Sequence, residues 1–164
     1  MNIVLHQPEI AGNTGNIGRT CMASGTKLHL IEPLGFQLTQ RELRRSGMDY
    51  WEELDVQRYM NYEEFLRLNP GARIWYATTK AERTYADVSY EEDDFIMFGK
   101  ESAGIPEEIL AENRDRCIRI PMDPEARSLN LANSAAIILY EALRQKGFPG
   151  LLKKGKLHRL SYKD

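Results

Sequence analysis

The amino-acid sequence predicts an α/β domain: a mostly parallel sheet covered by helices on both faces. Short β-rich runs alternate with segments of helical periodicity along most of the chain, which is the pattern of strands joined by crossover helices. Glycine and small polar residues gather just after those runs, in HQPEIAGNTGNIGRT, TTK, GKESAGIP and PMDPEARSLN. No internal repeat, low-complexity run or linker interrupts this order.

The elements follow in turn. Asn2–Leu5 (NIVL) is a first apolar strand, and Thr14–Ser24 carries the first helical pattern. Leu28–Ile31 is a second strand, and Arg41–Arg45 a short helical segment. Val56–Tyr59 is a possible sixth strand, followed by a helix over Tyr62–Leu68. Arg73–Ala77 and Asp94–Phe98 are β-rich runs, and Pro106–Glu112 is helical with its proline at the start. Cys117–Ile120 is the last strand, and Asn130–Lys146 the longest helix. In sheets of this kind ligands bind beyond the carboxyl ends of the strands, so the four polar loops are where function is expected.

At 164 residues the chain fits one domain able to bury a core without disulfides or a structural metal. We place that domain at residues 1–150, with a basic tail over 151–164. Apolar residues at 42% and charged residues at 28% suit an ordinary globular protein. Two cysteines, Cys21 and Cys117, make no disulfide framework, and no CxxC or Cys/His cluster points to zinc. MNIVLHQPE has too short an apolar run for a signal peptide or a membrane span, so a reducing cytoplasm is the expected home. The net charge of −2 demands no polyanionic partner, yet it hides two basic patches. Arg41, Arg44 and Arg45 crowd one segment, and Lys153, Lys154, Lys156, His158, Arg159 and Lys163 fill the tail against Asp164 alone.

Familiar nucleotide motifs fail on spacing. Gly12, Gly15 and Gly18 precede Arg19 and Thr20, but a P-loop needs G-x-x-x-x-G-K-[ST] and a dinucleotide fold G-x-G-x-x-G. No G-x-S-x-G or HExxH occurs, and the histidines at 6, 29 and 158 are scattered. His6 follows the first strand and reads most simply as a satisfied polar group at a strand end.

The most informative stretch is Ile118–Leu143, where a short strand runs through a Pro-flanked loop into the long helix. Ser128 and Asn130 stand before that helix, where a side-chain oxygen either caps free N–H groups or holds a ligand. Within the helix, Leu131, Ala135, Ile138 and Ala142 form one apolar stripe, and Ala132, Ala136, Leu139 and Leu143 a neighbouring one. A helix dry on two sides is covered twice, by a second subunit or within its own monomer.

Three stretches, Asn13–Arg19 (NTGNIGR), Phe98–Pro106 (FGKESAGIP) and Ile120–Asn133 (IPMDPEARSLNLAN), resemble in order the three motifs of the SPOUT RNA methyltransferases. Within them, the short length and the opening NIVL, QPEI and GNTGNIGR are most similar to the bacterial methyltransferases of the tRNA wobble cytidine or uridine ribose. Resemblance reaches to about Pro149. It implies an α/β fold with a C-terminal trefoil knot, a homodimer joined through the C-terminal helix with Tyr140 near the contact, and S-adenosylmethionine (AdoMet) as cofactor. The implied cofactor residues are Ala77, Thr78, Gly99, Gly104, Ile120, Met122, Ser128 and Leu129, with Gly99 allowing backbone close to the ligand. Arg19 is the implied catalytic residue. A guanidinium has no acceptor and stays protonated, so we assign it as a clamp on the target phosphate rather than a base. Asn13, Glu101 and Asn130 take supporting roles, Glu101 either bonding Arg19 or organising its loop through backbone N–H groups. No metal is implied. The implied substrate is the ribose 2′-hydroxyl at position 34 of a tRNA anticodon stem-loop, another tRNA or rRNA ribose being the second reading and an RNA-binding protein with a relic pocket the third. Arg41, Arg44 and Arg45 are candidate RNA contacts, with Tyr50 and Trp51 either stacking on bases or packing in the core. Gly12 and Lys100 stand where the wobble-position group leads us to expect proline.

Overall fold

The structure is a computed structural model that describes residues 1–39 and 51–161. Six strands form one sheet: β1 (Asn2–His6), β2 (Lys27–Ile31), β3 (Val56–Tyr59), β4 (Ile74–Ala77), β5 (Phe95–Phe98) and β6 (Cys117–Ile118). Their order is β3-β2-β1-β5-β4-β6, and every neighbouring pair is parallel. The possible sixth strand at Val56–Tyr59 is therefore a full edge strand. β6 is shorter than its apolar run predicts, because Arg119 leaves the β4 edge and pairs instead with the loop before β5: its N–H donates to the Arg83 carbonyl and its own carbonyl accepts from Tyr85, each at 2.9 Å.

The helices are α1 (Ala11–Ser24), α2 (Tyr62–Leu68), α3 (Glu107–Glu112) and α4 (Leu131–Gln145). The predicted segment Arg41–Arg45 lies outside the described residues. α1 starts three residues earlier than its periodicity indicates, so Gly12 joins Gly15 and Gly18 in the helix and the three form no ligand loop. A Cβ on Gly18 would meet Leu54 at 3.0 Å and Trp51 at 3.1 Å. Trp51 is thus packing against α1, the core reading of that residue.

Strand side chains alternate between two cores, as the period of two requires. Ile3, Leu5, Ile96 and Phe98 point to one face with Ile17 and Cys21 of α1 and Ala135, Ile138, Leu139 and Ala142 of α4. Val4 and Met97 point to the other with Phe65 of α2 and Leu110 of α3. Both apolar stripes of α4 are buried except at Leu131 and Ala136, while a third line, carrying Ile137 and Tyr140, is 38% and 41% exposed.

α4 begins at the carboxyl end of the sheet and finishes at the amino end, where Gln145 accepts from Tyr90 N–H and donates to the Val88 carbonyl. Its end is a Schellman closure: Phe148 N–H reaches the Leu143 carbonyl at 2.8 Å, Gly147 N–H reaches that of Arg144, and Gly147 has φ +72. Nearby, Asp94 is 1% exposed and accepts from the Arg73 guanidinium, Trp75 Nε1 and Glu91 N–H. Removing one partner of a buried pair strands the other, so Asp94→Ala should cost roughly 3–5 kcal/mol in chemical denaturation. A loss below about 1 kcal/mol would show the network to be solvated.

A second buried polar cluster sets an acid limit. His29 Nδ1 lies 2.8 Å from the Tyr59 hydroxyl, and its Nε2 lies 3.2 Å from Asn2 Oδ1. Asn2 donates its amide to the Asp93 and Asp94 carbonyls, so the network assigns the proton to Nε2. Burial pushes the His29 pKa down to about 4 from its ordinary 6.5. The unfolded chain therefore takes a proton first as pH falls, and stability drains between pH 6.5 and about 4, by up to roughly 3 kcal/mol. Urea unfolding at pH 7 and 4.5 should show this loss in the native chain and a smaller one in His29→Gln; equal losses would exonerate His29.

Candidate active site

Three loops meet where α1 and α4 begin. Ile10 supplies no side-chain cap to α1. Instead Glu101, from the loop after β5, accepts from Glu9 N–H at 2.8 Å and Ile10 N–H at 3.3 Å. A carboxylate there also complements the positive end of the helix. Glu101 Oε1 takes a third bond from the Asn13 amide at 3.0 Å. Asn13 Oδ1 in turn accepts from the Asn130 amide at 3.0 Å. Asn130 then caps α4, its Oδ1 accepting from Ala132 and Asn133 N–H at 2.9 and 3.2 Å.

This relay ties the three motif stretches into one unit. Glu101 takes the loop-organising role, and the cap of α4 is Asn130, which leaves Ser128 for the cleft wall. The same loop is fastened again by Glu9, which accepts from Ser102 N–H and Oγ at 2.9 and 2.8 Å; these bonds hold the exposed Glu9 carboxylate below its usual pKa.

Beside the relay lies a cleft of about 630 Å³ at the carboxyl ends of β4, β5 and β6. All eight residues assigned to the cofactor, Ala77, Thr78, Gly99, Gly104, Ile120, Met122, Ser128 and Leu129, line it, as do Asn13, Glu101 and Asn130. Gly99 is needed for a reason other than close approach of a ligand: a Cβ there would sit 2.0 Å from the Gly104 carbonyl carbon and 2.1 Å from Ile105 N. The backbone of 104–105 fills that space. Gly104 itself holds φ +74, open to glycine.

Arg19 is placed differently. It is exposed on α1, roughly 9 Å along the axis from Asn13, and does not line the cleft. Arg41, Arg44, Arg45 and Tyr50 lie outside the described residues. Sequence reasoning missed Lys100, Arg127, Ser134 and Ile138 as wall residues; their positions inside the second and third motifs or on the helix just beyond the third were the available signal. Lys80 also lines the cleft but is paired to Glu107 at 2.6 Å. His6 is buried with its ring edge-to-face on Tyr62, and burial and then Lys100 lower its pKa.

Residues 1–140 match the model of the SpoU rRNA Methylase family. The chain belongs to the SpoU rRNA methylase family. It is 46% identical over 151 residues to the tRNA (cytidine(34)-2'-O)-methyltransferase of Escherichia coli K12, spanning 92% of this chain and 96% of that one. The corresponding enzyme of Saccharophagus degradans is 47% identical over 150 residues, with 91% and 97% covered. A solved structure described under the 2-OH methylation of C/U34 on tRNA superposes with TM-score 0.83 at 43% identity, covering 89% and 95%. The SpoU methyltransferase AviRb of Streptomyces viridochromogenes, in complex with AdoMet, superposes with TM-score 0.76 at 25% identity over 89% of this chain and 57% of its own. The α/β fold with its parallel sheet and the family resemblance of the three motifs are thus established, and the knot is what membership implies.

Proposed function

We propose that this chain transfers a methyl group from AdoMet to the ribose 2′-hydroxyl of cytidine or uridine 34 in tRNA. The observation that carries the reading is the Glu101–Asn13–Asn130 relay, which locks the three family motifs around one cleft. The cleft suits the cofactor: its volume falls in the range of small-molecule sites, and Ile118, Ile120, Met122, Leu129 and Ile138 give it apolar walls with a few hydroxyls from Thr78, Ser128 and Ser134. When bound, AdoMet supplies an electrophilic methyl whose leaving group departs uncharged.

What remains for the chain is alignment and charge. Backbone and apolar groups of the three loops hold the cofactor, while the relay keeps those loops from shifting against α1. An in-line approach fixed this way supplies much of the rate. Arg19 grips the target phosphate and stabilises charge developing on the attacking oxygen, the proton leaving to phosphate oxygen or water.

A homodimer through α4 completes the reading. Ile137 and Tyr140 are exposed apolar residues on its outer line, and α1 packs beside α4. A two-fold contact there is self-complementary. It brings α1 of one protomer toward the other's cleft, which accounts for an Arg19 that stands off its own. Tyr140→Glu should convert the dimer to monomer in sedimentation; an unchanged mass would move the interface elsewhere. Among the described residues no helix is long and apolar enough to cross a membrane, and no cluster of metal-ligating side chains is found.

The decisive experiment incubates the chain with labelled AdoMet and total tRNA, then maps the modified nucleoside. A 2′-O-methyl at position 34 is expected. Cofactor binding without any ribose methylation of tRNA, or product only on rRNA, would overturn the assignment.

A further inference from the structure

The charge of this molecule is segregated. Residues 151–164 hold five Lys or Arg against one Asp, a net +4, while residues 1–150 hold 17 Lys or Arg against 23 Asp or Glu, a net −6. A body so acidic repels a polyanion on average, so phosphate-binding charge has to be concentrated locally. Within the body, several cations are already committed: Arg58 to Glu32, Arg73 to Asp94, Lys80 to Glu107, Arg114 to Glu82, Arg144 to Glu141 and Lys146 to Glu91. In the tail, Lys153, Lys154, Lys156, His158 and Arg159 are all exposed, and none has a hydrogen-bond or ion-pair partner among the described residues.

The tail is also anchored. Gly147 and Phe148 close α4, and Phe148 and Leu151 pack against the core shared by α1 and α4. From Leu152 onward the chain is exposed and has no regular structure up to residue 161. Its root is at the amino end of the sheet, a helix length of about 22 Å from Asn130. Ten extended residues reach at most roughly 33 Å. The tail therefore starts well away from the reacting ribose and is suited to RNA that projects from the cleft. Between Leu151 and Ser161 the one ring is the His158 imidazole, with no Phe, Tyr or Trp, so cations outnumber stacking groups and phosphates are the main partners.

Resting on the reading of tRNA as substrate, we propose that the segment from Lys153 to Arg159 is an electrostatic arm that binds the phosphate backbone flanking the target nucleotide. It adds affinity without reading sequence.

The test compares the full chain with Lys153→Gln/Lys154→Gln/Lys156→Gln/Arg159→Gln, and with a chain ending at Leu152, which keeps the Leu151 anchor. Affinity for a tRNA transcript is measured against KCl concentration. With four cations removed, the slope of log K against log[salt] should become shallower by about 3, at 0.7–0.9 per phosphate contact. Affinity at low salt should fall at least tenfold, KM for tRNA should rise, and kcat, AdoMet affinity, melting temperature and the methylated position should stay unchanged. An unchanged slope would overturn the arm. So would tighter RNA binding on neutralisation, which would show the tail masking the acidic body. Absence of any tRNA methylation by the full chain would instead sink the substrate reading, an outcome distinct from these.

Discussion

Replacing Arg19 with alanine should reduce methyl transfer by about 10²–10³-fold while leaving AdoMet affinity and thermal stability nearly unchanged, the range set by losing one transition-state contact. The expectation follows from position. Arg19 is exposed on α1, makes no part of the cleft wall and is not among the residues of the Glu101–Asn13–Asn130 relay. Its exposure keeps the structural cost of truncation small. Because it stands off its own cleft, mixed dimers offer a sharper measurement: Arg19→Ala chains combined with chains whose cleft is blocked by Ser128→Arg should recover activity that neither parent shows. Full activity of Arg19→Ala alone would remove the residue from the mechanism, and failure of the mixture would confine it to its own protomer.

Much of this arrangement was legible from residue order. Periodicity alone placed all six strands, because a parallel sheet buried on both faces demands near-continuous apolar runs such as Ile3–Leu5 and Ile96–Phe98. The cofactor wall was legible because polar loops follow β4, β5 and β6, where such sheets bind ligands, and the last two carry motifs through which the family resemblance implied its residues. The relay was not. Glu101, Asn13 and Asn130 are 88 and 117 residues apart in their two bonds, and a carboxylate that caps a distant helix looks in sequence like any acidic loop residue. Gly12 misled for the opposite reason: glycine in a helix is costly, so its presence reads as a loop, and the helix that begins at Ala11 was expected only from Thr14. At Gly18 the cost is offset by close packing of Trp51 and Leu54.

The largest effect on the site should come from the smallest substitution. Gly99→Ala puts a methyl carbon 2.0 Å from the Gly104 carbonyl carbon, 2.1 Å from Ile105 N and 2.4 Å from the Gly104 oxygen. All three are backbone atoms, so no side chain can rotate away. The loop must move as a unit, yet it is held by Gly104 N–H on the Lys100 carbonyl at 2.8 Å and by Ile105, 1% exposed in the second core. Shifting it carries Glu101 away from Asn13 and from the start of α1. Overpacking of an ordinary core costs about 1–3 kcal/mol, and a rigid backbone clash belongs at or above the top of that range. At roughly 2–4 °C per kcal/mol for a chain of this size, the melting temperature should drop by about 10 °C, with AdoMet binding lost. Gly12→Ala is the matched control. It is helical with nothing within 4 Å of the added carbon, so alanine there should stabilise by up to about 1 kcal/mol. Opposite signs for the two glycines would establish that loop closure at Gly99, not glycine content, builds the cleft; a Gly99→Ala chain that melts normally and still binds AdoMet would show that the loop yields and the relay is dispensable.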